Sequence, residues 1–379
     1  PAPPQERLTA VDALRGFALL GILLVNMSLF SIPFIDEGAS AHLFPGPLDR
    51  AVDWLISLLA EAKFISLFAF LFGWGLYQQG ERAGAERLTR RRLWLLLLFG
   101  LLHALLLWSG DILLPYAVLG LLALRFRRRP PRSLAIWAGI SLALPLAAGG
   151  LIDLWVGPIE PEAGLSAAGR WVLQAYQQGS YGQLFLARLL ELGAVYASML
   201  LSGGVGQIFG LFLLGMLAAQ TGLLRDLPAH RPLLERLFRW GLPVGVAFSL
   251  LLTQTGGSTL AYALGAVLGG GSLGLAYGAG LVLLLQRPDW SRRLAPLASA
   301  GRMALTNYLL QSAICTTLFY SYGFGLYGRI SPSAGLLLSF LIYSMQVMIS
   351  HWWLQRFHYG PFEWLWRSLT YQRIQPLRT

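Results

Sequence analysis

Long apolar runs in this chain surround a few groups that could act as acids, bases or ligands. Asp12 and Arg15 lie three residues apart and share a helical face. Asn26 follows Arg15 by eleven residues, almost three turns at 3.6 residues per turn and about 16 Å farther along the axis. His103 stands eight residues before Asp111. An imidazole changes charge near neutral pH and a carboxylate within reach can orient its ring, so the two are candidates for a general base and its partner. His42 is a second candidate base. Lys63, Tyr116, Arg302, Asn307 and Gln311 complete the set, the last two spaced four apart on one face. Ionisable groups inside apolar spans are costly and mark sites or paths by default, so Asp12, Arg15, Asn26, Lys63, His103, Asp111, Arg302 and Asn307 are expected to converge on one interior cavity.

Each group also has a structural reading. Asp12 with Arg15 can anchor the inner end of a helix. Asn307 and Gln311 can bond to a neighbouring helix. Arg188 and Glu191, at i,i+3, can form a structural pair. His351 suits an interfacial position, and His42 suits an exposed loop.

The elements that must position these groups are read from the hydropathy pattern. Hydrophobic residues make up 55% of the 379 and charged ones 12%, against about 25% charged in soluble domains; mean hydropathy is +0.57. The fold class is therefore all-α, a polytopic transmembrane helix bundle forming a single integral membrane domain over 1–379. Spans are predicted at about 12–33, 52–79 (slanted or broken), 93–108, 112–125, 133–154, 183–222 (long or bent), 234–253, 258–286, 296–320 and 334–356, about ten in all. The stretch 170–178 reads as a surface helix. The first span is read as retained, since it is too long for a signal peptide and Ser31-Ile32-Pro33-Phe34 lacks a small-residue cleavage pattern.

The net charge of +11 does not imply nucleic acid, because the arginines sit in short loops between apolar runs, as the positive-inside rule predicts. With both termini cytoplasmic, the loops at 81–92, 125–132, 223–239 and 287–293 and the C-terminal tail all fall inside and hold nearly all the arginines. The outer loops hold Arg50, Arg170 and Arg329 with Asp36, Glu37, Asp111, Asp153, Glu160 and Glu162. This reads as a multi-pass membrane protein. The single Cys315 excludes an intramolecular disulfide and any cysteine-based metal site, and no metal is expected.

Several segments carry a resemblance. Val11-Asp12-Ala13-Leu14-Arg15-Gly16-Phe17 with Asn26, Lys63-Phe64 leading to Leu71-Phe72-Gly73-Trp74-Gly75, His103 with Gly110-Asp111-Ile112-Leu113, and Tyr116-Ala117 resemble the YeiB-like bacterial integral membrane proteins (domain of unknown function 418). So do Gly301-Arg302-Met303-Ala304-Leu305-Thr306-Asn307-Tyr308 and Gly360-Pro361-Phe362-Glu363-Trp364; the family's C-terminal motif region would cover about 220–379. More distantly, the first span is similar to that of the heparan-alpha-glucosaminide N-acetyltransferases and the membrane sugar O-acyltransferases.

That wider resemblance implies a transmembrane acyltransferase-like fold. It also implies transfer of an acyl group from cytoplasmic acyl-CoA to a small-molecule or glycan acceptor on the outer side. Arg15 falls at the matching arginine and Asn26 at the matching asparagine; His42 has the loop location, without the local sequence, of the glucosaminide enzymes' catalytic histidine. Transfer needs a base and an oxyanion donor. Asn26 would be the donor, His103 or His42 the base and Asp111 the orienting group. Arg15, Arg302 and the loop at 81–92 would hold CoA phosphates, with Asp12, Lys63, Tyr116, Asn307 and Gln311 binding substrate. Membrane lipids are the surrounding partners, no nucleic acid is expected, and a homodimer is allowed. The alternatives are a transporter or flippase of a small metabolite or lipid-linked unit, and a non-catalytic lipid-binding membrane protein.

Overall fold

Every apolar run becomes helix, and the runs are cut where the backbone has to turn. The computed structural model describes residues 9–36, 38–79, 85–157, 164–253 and 257–378; Glu37, Glu81, Arg82, Glu160 and Glu162 lie outside them. Among the described residues the chain is all-α, and its one β-bridge, Phe357 with Arg378, belongs to no strand.

The first span is α1 (Thr9–Ser31), followed by the short α2 (Ala39–Leu43). The run at 52–79 is broken, as its length suggested, into α3 (Pro47–Leu59) and α4 (Lys63–Gln79). Between them Ala62 takes φ 63°, a left-handed conformation that a helix cannot continue. Next come α5 (Ala85–Leu106) and α6 (Leu113–Ala123), the latter ending in a 3₁₀ turn at 124–126. Then follow α7 (Pro131–Trp155) and the surface helix α8 (Ala167–Gln178). The forty-residue run splits into α9 (Tyr181–Leu201) and α10 (Gly204–Gln220). The break is Gly203 at φ 71°, where a Cβ would also meet the Pro145 backbone at 2.8 Å, so only glycine fits.

The rest is α11 (Leu227–Thr253), then α12 (Thr259–Leu264) running through a π-helical turn into α13 (Gly271–Leu285). After these come α14 (Pro288–Arg293), α15 (Ala295–Arg302), α16 (Ala304–Phe319), α17 (Pro332–Leu354) and the C-terminal α18 (Pro361–Tyr371).

Among the described residues six helical segments are long and apolar enough to cross a membrane: α1, α3 with α4, α7, α9, α12 with α13, and α17. The sequence suggested about ten. The difference lies in elements that are charged, short or divided. α5 opens with Arg90, Arg91 and Arg92, α11 carries Pro232 and Pro243 with several charges, α6 and α10 are short, and the run at 296–320 is cut at Met303. Within the most apolar 18-residue windows of α7 and α9 only 22% of residues are buried. Leu154, Trp155, Leu200 and Leu201 face outward. Helices apolar on the outside as well as the inside are solvated by lipid.

α1 runs through the middle of this bundle. Its backbone meets α15 almost in contact: a Cβ on Gly16 would lie 2.1 Å from the Leu297 carbonyl oxygen, and one on Gly301 would lie 1.8 Å from that of Asp12. This crossing sets Arg15 near Arg302. The arginine-bearing connections gather at one end, here called the basic end. There Trp366 Nε1 donates to the Arg92 carbonyl at 3.0 Å and Gln220 Nε2 to that of Arg129 at 3.3 Å, while Arg225 bonds Gln78. At the opposite end Gly328 N–H donates to the Ser31 carbonyl (2.6 Å), Thr259 N–H to Asp153 (2.8 Å) and the Ser333 hydroxyl to Asp49 (2.6 Å).

Candidate functional site

A cavity of about 340 Å³ lies at the basic end between α1, α4, α5, α6, α15, α16 and α18. Its mouth carries four guanidinium groups: Arg15, Arg92, Arg302 and Arg367. Arg92 lies over the Trp366 ring at 4.5 Å and Arg367 over Tyr359 at 4.6 Å, so their planes are held by stacking. Arg302 donates to the His358 carbonyl at 3.3 Å, and Arg15 sits 3.6 Å from Asp12. Among the described residues, the one carboxylate lining the mouth is Glu363. It accepts from Leu305 N–H (2.7 Å), Thr306 N–H (3.0 Å) and the Thr306 hydroxyl (2.6 Å), so it caps the start of α16. Farther in, the walls are Leu19, Ile22, Phe68, Leu71, Phe72 and Leu96, and the inner end is formed by Ile112, Leu113, Tyr116 and Tyr308. Such a shape suits an anionic head on an apolar stem.

Just beyond Tyr308 stands His103, with ring centroids 5.2 Å apart. His103 stands in the last turn of α5, and its carbonyl accepts from both Leu107 and Trp108 N–H. The chain then reverses through Ser109-Gly110, where a Cβ would strike the Trp108 ring at 2.3 Å, and brings Asp111 back to the imidazole. His103 Nδ1 meets Asp111 Oδ1 at 2.8 Å, and the second oxygen of Asp111 accepts from Leu114 N–H at 2.7 Å in the first turn of α6. His103 Nε2 meets the Ser312 hydroxyl at 2.8 Å. The His103 and Asp111 side chains are 1% and 0% exposed.

Of the sequence-nominated residues, Arg15, Tyr116 and Arg302 line the cavity, and His103 and Asp111 pair behind its inner end. The expected convergence of eight residues on one cavity is not what the structure shows. Lys63 is buried at the break between α3 and α4, where its ammonium donates to the Ser57 carbonyl at 2.7 Å and so caps α3. Asn307 donates to the Ala300 carbonyl and to Ser350, and Gln311 donates to Gln346, which in turn donates to the Asn307 carbonyl (2.9–3.0 Å); these amides tie α16 to α15 and α17. Asp12 is buried behind Arg15. Asn26 is half-buried outside the cavity lining, and His42 is exposed on α2 beside Gly164. The ring nitrogens of His103 meet Asp111 and Ser312 rather than Asn26.

Arg188 and Glu191 do not pair either. Glu191 accepts from Phe34 N–H (3.0 Å), Ser109 (3.2 Å), Tyr176 (2.9 Å) and Tyr327 (3.4 Å), while Arg188 donates to the Leu105 carbonyl at 2.8 Å. Among the described residues no group of three or more His, Cys, Asp or Glu side chains could hold a metal ion.

Sequence reasoning passed over Glu363, Arg367 and Ser312. The first two read as part of a basic, aromatic tail, and a lone serine 209 residues from His103 gives no local signal.

Comparison with known proteins covers the whole chain. It is 34% identical over 409 residues to the uncharacterized protein YeiB of Escherichia coli (strain K12), covering 98% of each. The chain belongs to the YeiB family. It is also 35% identical over 411 residues to the uncharacterized protein YxaH of Bacillus subtilis (strain 168), covering all of this chain and 97% of that one. An uncharacterized 39.9 kDa protein of Bacillus acidopullulyticus, from an amylase 3' region, is 31% identical over 387 residues, covering 100% of this chain and 97% of the relative. The family model described as protein of unknown function (DUF418) matches residues 218–373. That segment supplies Arg302, Tyr308, Ser312, Glu363 and Arg367, whereas Arg15, Arg92, His103 and Asp111 come from the chain before it. The cavity is thus assembled from both parts.

Proposed function

We propose that this YeiB-family protein is a membrane acyltransferase that takes an acyl group from cytoplasmic acyl-CoA and passes it to a small-molecule or glycan acceptor on the outer side of the bacterial inner membrane. The observation that carries the reading is the cavity: four arginines at the mouth, an apolar stem, and the His103–Asp111 pair just past its inner end. Guanidinium groups recognise phosphates through charge-assisted hydrogen bonds. An apolar channel accepts the pantetheine arm and acyl group. His103, oriented by Asp111, is the proton acceptor for the transfer.

The topology that goes with this reading has ten crossings: α1, α3–α4, α5, α6, α7, α9–α10, α11, α12–α13, α15–α16 and α17. Both termini are in the cytoplasm and α18 rests on the inner surface. The Arg bias of the basic end supports it. The cavity's inner end at Ile112, Tyr116 and Tyr308, with hydrogen-bonded polar clusters beyond, favours handing a group across over passage of a whole solute.

The test is binding and turnover by the purified full-length protein in detergent. CoA should bind the wild type and bind Arg302→Ala roughly ten- to a hundred-fold more weakly, the weight of one charge-assisted contact. No CoA binding by the wild type would refute the reading. For topology, single cysteines at Arg128 and Arg170, both exposed, should label from opposite faces of the cell membrane; labelling from one face refutes ten crossings.

A further inference from the structure

The hydroxyl of Ser312 is held differently from those of Ser66, Ser141 and Ser339, and its contact with a histidine is shorter than the 3.3 Å of Ser299 to His351. A serine inside a helix usually bonds back to the carbonyl one turn earlier. Ser66, Ser141 and Ser339 do so at 2.6, 2.7 and 2.8 Å. The corresponding contact of Ser312, to the Tyr308 carbonyl, is stretched to 3.4 Å, while its oxygen lies 2.8 Å from His103 Nε2. Serine, imidazole and carboxylate then run in line, the last link being His103 Nδ1 to Asp111 Oδ1 at 2.8 Å. When Nδ1–H is donated to Asp111, Nε2 holds the lone pair and accepts the Ser312 proton, which is the arrangement that activates a serine nucleophile.

Two further facts tie this row to the cavity. Tyr308, one turn before Ser312 and on the same face of α16, lines the cavity's inner end and lies beside the His103 ring. Its oxygen accepts from Ile112 N–H at 3.3 Å, next to Asp111. Ser312 is 1% exposed, so water is kept from it. The His103 nitrogen that would take a proton faces Ser312 rather than open space, so Ser312 is the group it can deprotonate.

We propose that Ser312 is the nucleophile of a Ser312–His103–Asp111 triad and carries the acyl group covalently between donor and acceptor. The proposal rests on the acyl-CoA reading of the cavity. In the first half-reaction the Ser312 oxygen bonds to the thioester carbonyl carbon, its proton passes to His103 Nε2, the C–S bond breaks, and that proton goes to the departing sulfur to give free CoA thiol. In the second, a hydroxyl or amine of the acceptor attacks the serine ester. Its proton passes to His103, the C–O bond to Ser312 breaks, and the proton returns to the serine oxygen. A thioester at the inner end of the cavity has the Tyr308 ring to displace before it meets Ser312.

The test uses full-length protein in detergent with labelled acetyl-CoA and no acceptor. The wild type should gain one acetyl group, mapped to the peptide containing Ser312, and release one CoA thiol per acetyl. Ser312→Ala should lose the label while binding CoA within about twofold of wild type. Ser312→Cys should take the label as a thioester, cleaved by neutral hydroxylamine where the wild-type serine ester resists it, and the loss of label in Ser312→Ala excludes Cys315 as the carrier. Asp111→Asn should slow acylation by at least about a hundredfold. CoA binding without acyl-protein, or a label that survives Ser312→Ala, overturns the nucleophile and leaves the CoA site standing. If CoA does not bind at all, the acyl-CoA reading fails, and an aryl fluorophosphonate decides the triad by itself. Phosphonylation of Ser312 that His103→Ala abolishes supports it, and no phosphonylation overturns it.

Discussion

The cavity at the basic end and the Glu191 cluster at the opposite end are both polar regions in an apolar bundle, and their hydrogen bonding differs in kind. Glu191 is 1% exposed and accepts four hydrogen bonds, one from α8 and three from connecting turns. Buried polar groups that are fully bonded hold elements together. Among the described residues of the cavity lining there are four guanidinium groups and one carboxylate, and that carboxylate is occupied in capping α16. On the proposed reading, that charge is arranged for an incoming anion. Burial of a charge in a membrane protein is therefore a weak guide to function by itself; what its hydrogen bonds already reach is the better one.

The sharpest way to break this comparison is Glu191→Ala. It strands four donors in the interior, each worth about 1–3 kcal/mol when left unbonded, and the sum should be several kcal/mol. Thermal unfolding in detergent should show a large fall in Tm, with CoA binding per folded molecule unchanged. Lost affinity at unchanged stability would put Glu191 in the site instead. Arg92→Ala and Arg367→Ala should do the reverse, weakening CoA binding by roughly tenfold or more each while shifting Tm little. A large loss of Tm in both would make the arginine ring a structural device.

Gly301→Ala joins the two kinds of effect. Its methyl would press on the Asp12 carbonyl across the α1–α15 crossing, at a cost of about 1–3 kcal/mol. Because that crossing sets Arg15 near Arg302, stability and CoA affinity should fall together. A variant with normal values for both would show that the crossing tolerates adjustment. The smallest expected effect is that of salt. Raising ionic strength from 0.05 to 0.5 M should weaken CoA binding several-fold, as screening of a partly open site requires, and leave Tm nearly unchanged. Salt-independent affinity would mean that the apolar stem dominates binding.

By itself the sequence determined the helical class, a slant or break within 52–79 and a bend within 183–222, the bias of arginine to one end, and the candidacy of Asp111 as the partner of His103. All of these depend on hydropathy, backbone conformation or contacts within a few turns. Family membership was equally legible, since whole-length identity of 31–35% follows from the chain alone. Only the tertiary structure separated Lys63, Asn307, Gln311 and Glu191, which finish their hydrogen bonds within the bundle, from Arg15, Arg92, Arg302 and Arg367, which border a cavity. It alone brought Ser312 to His103 across 209 residues and left Asn26 and His42 out of the cavity lining. The physical reason is that a polar side chain's role depends on which partner lies opposite it. In a bundle that is fixed by close helix crossings such as Gly16 and Gly301, which act between segments far apart in sequence.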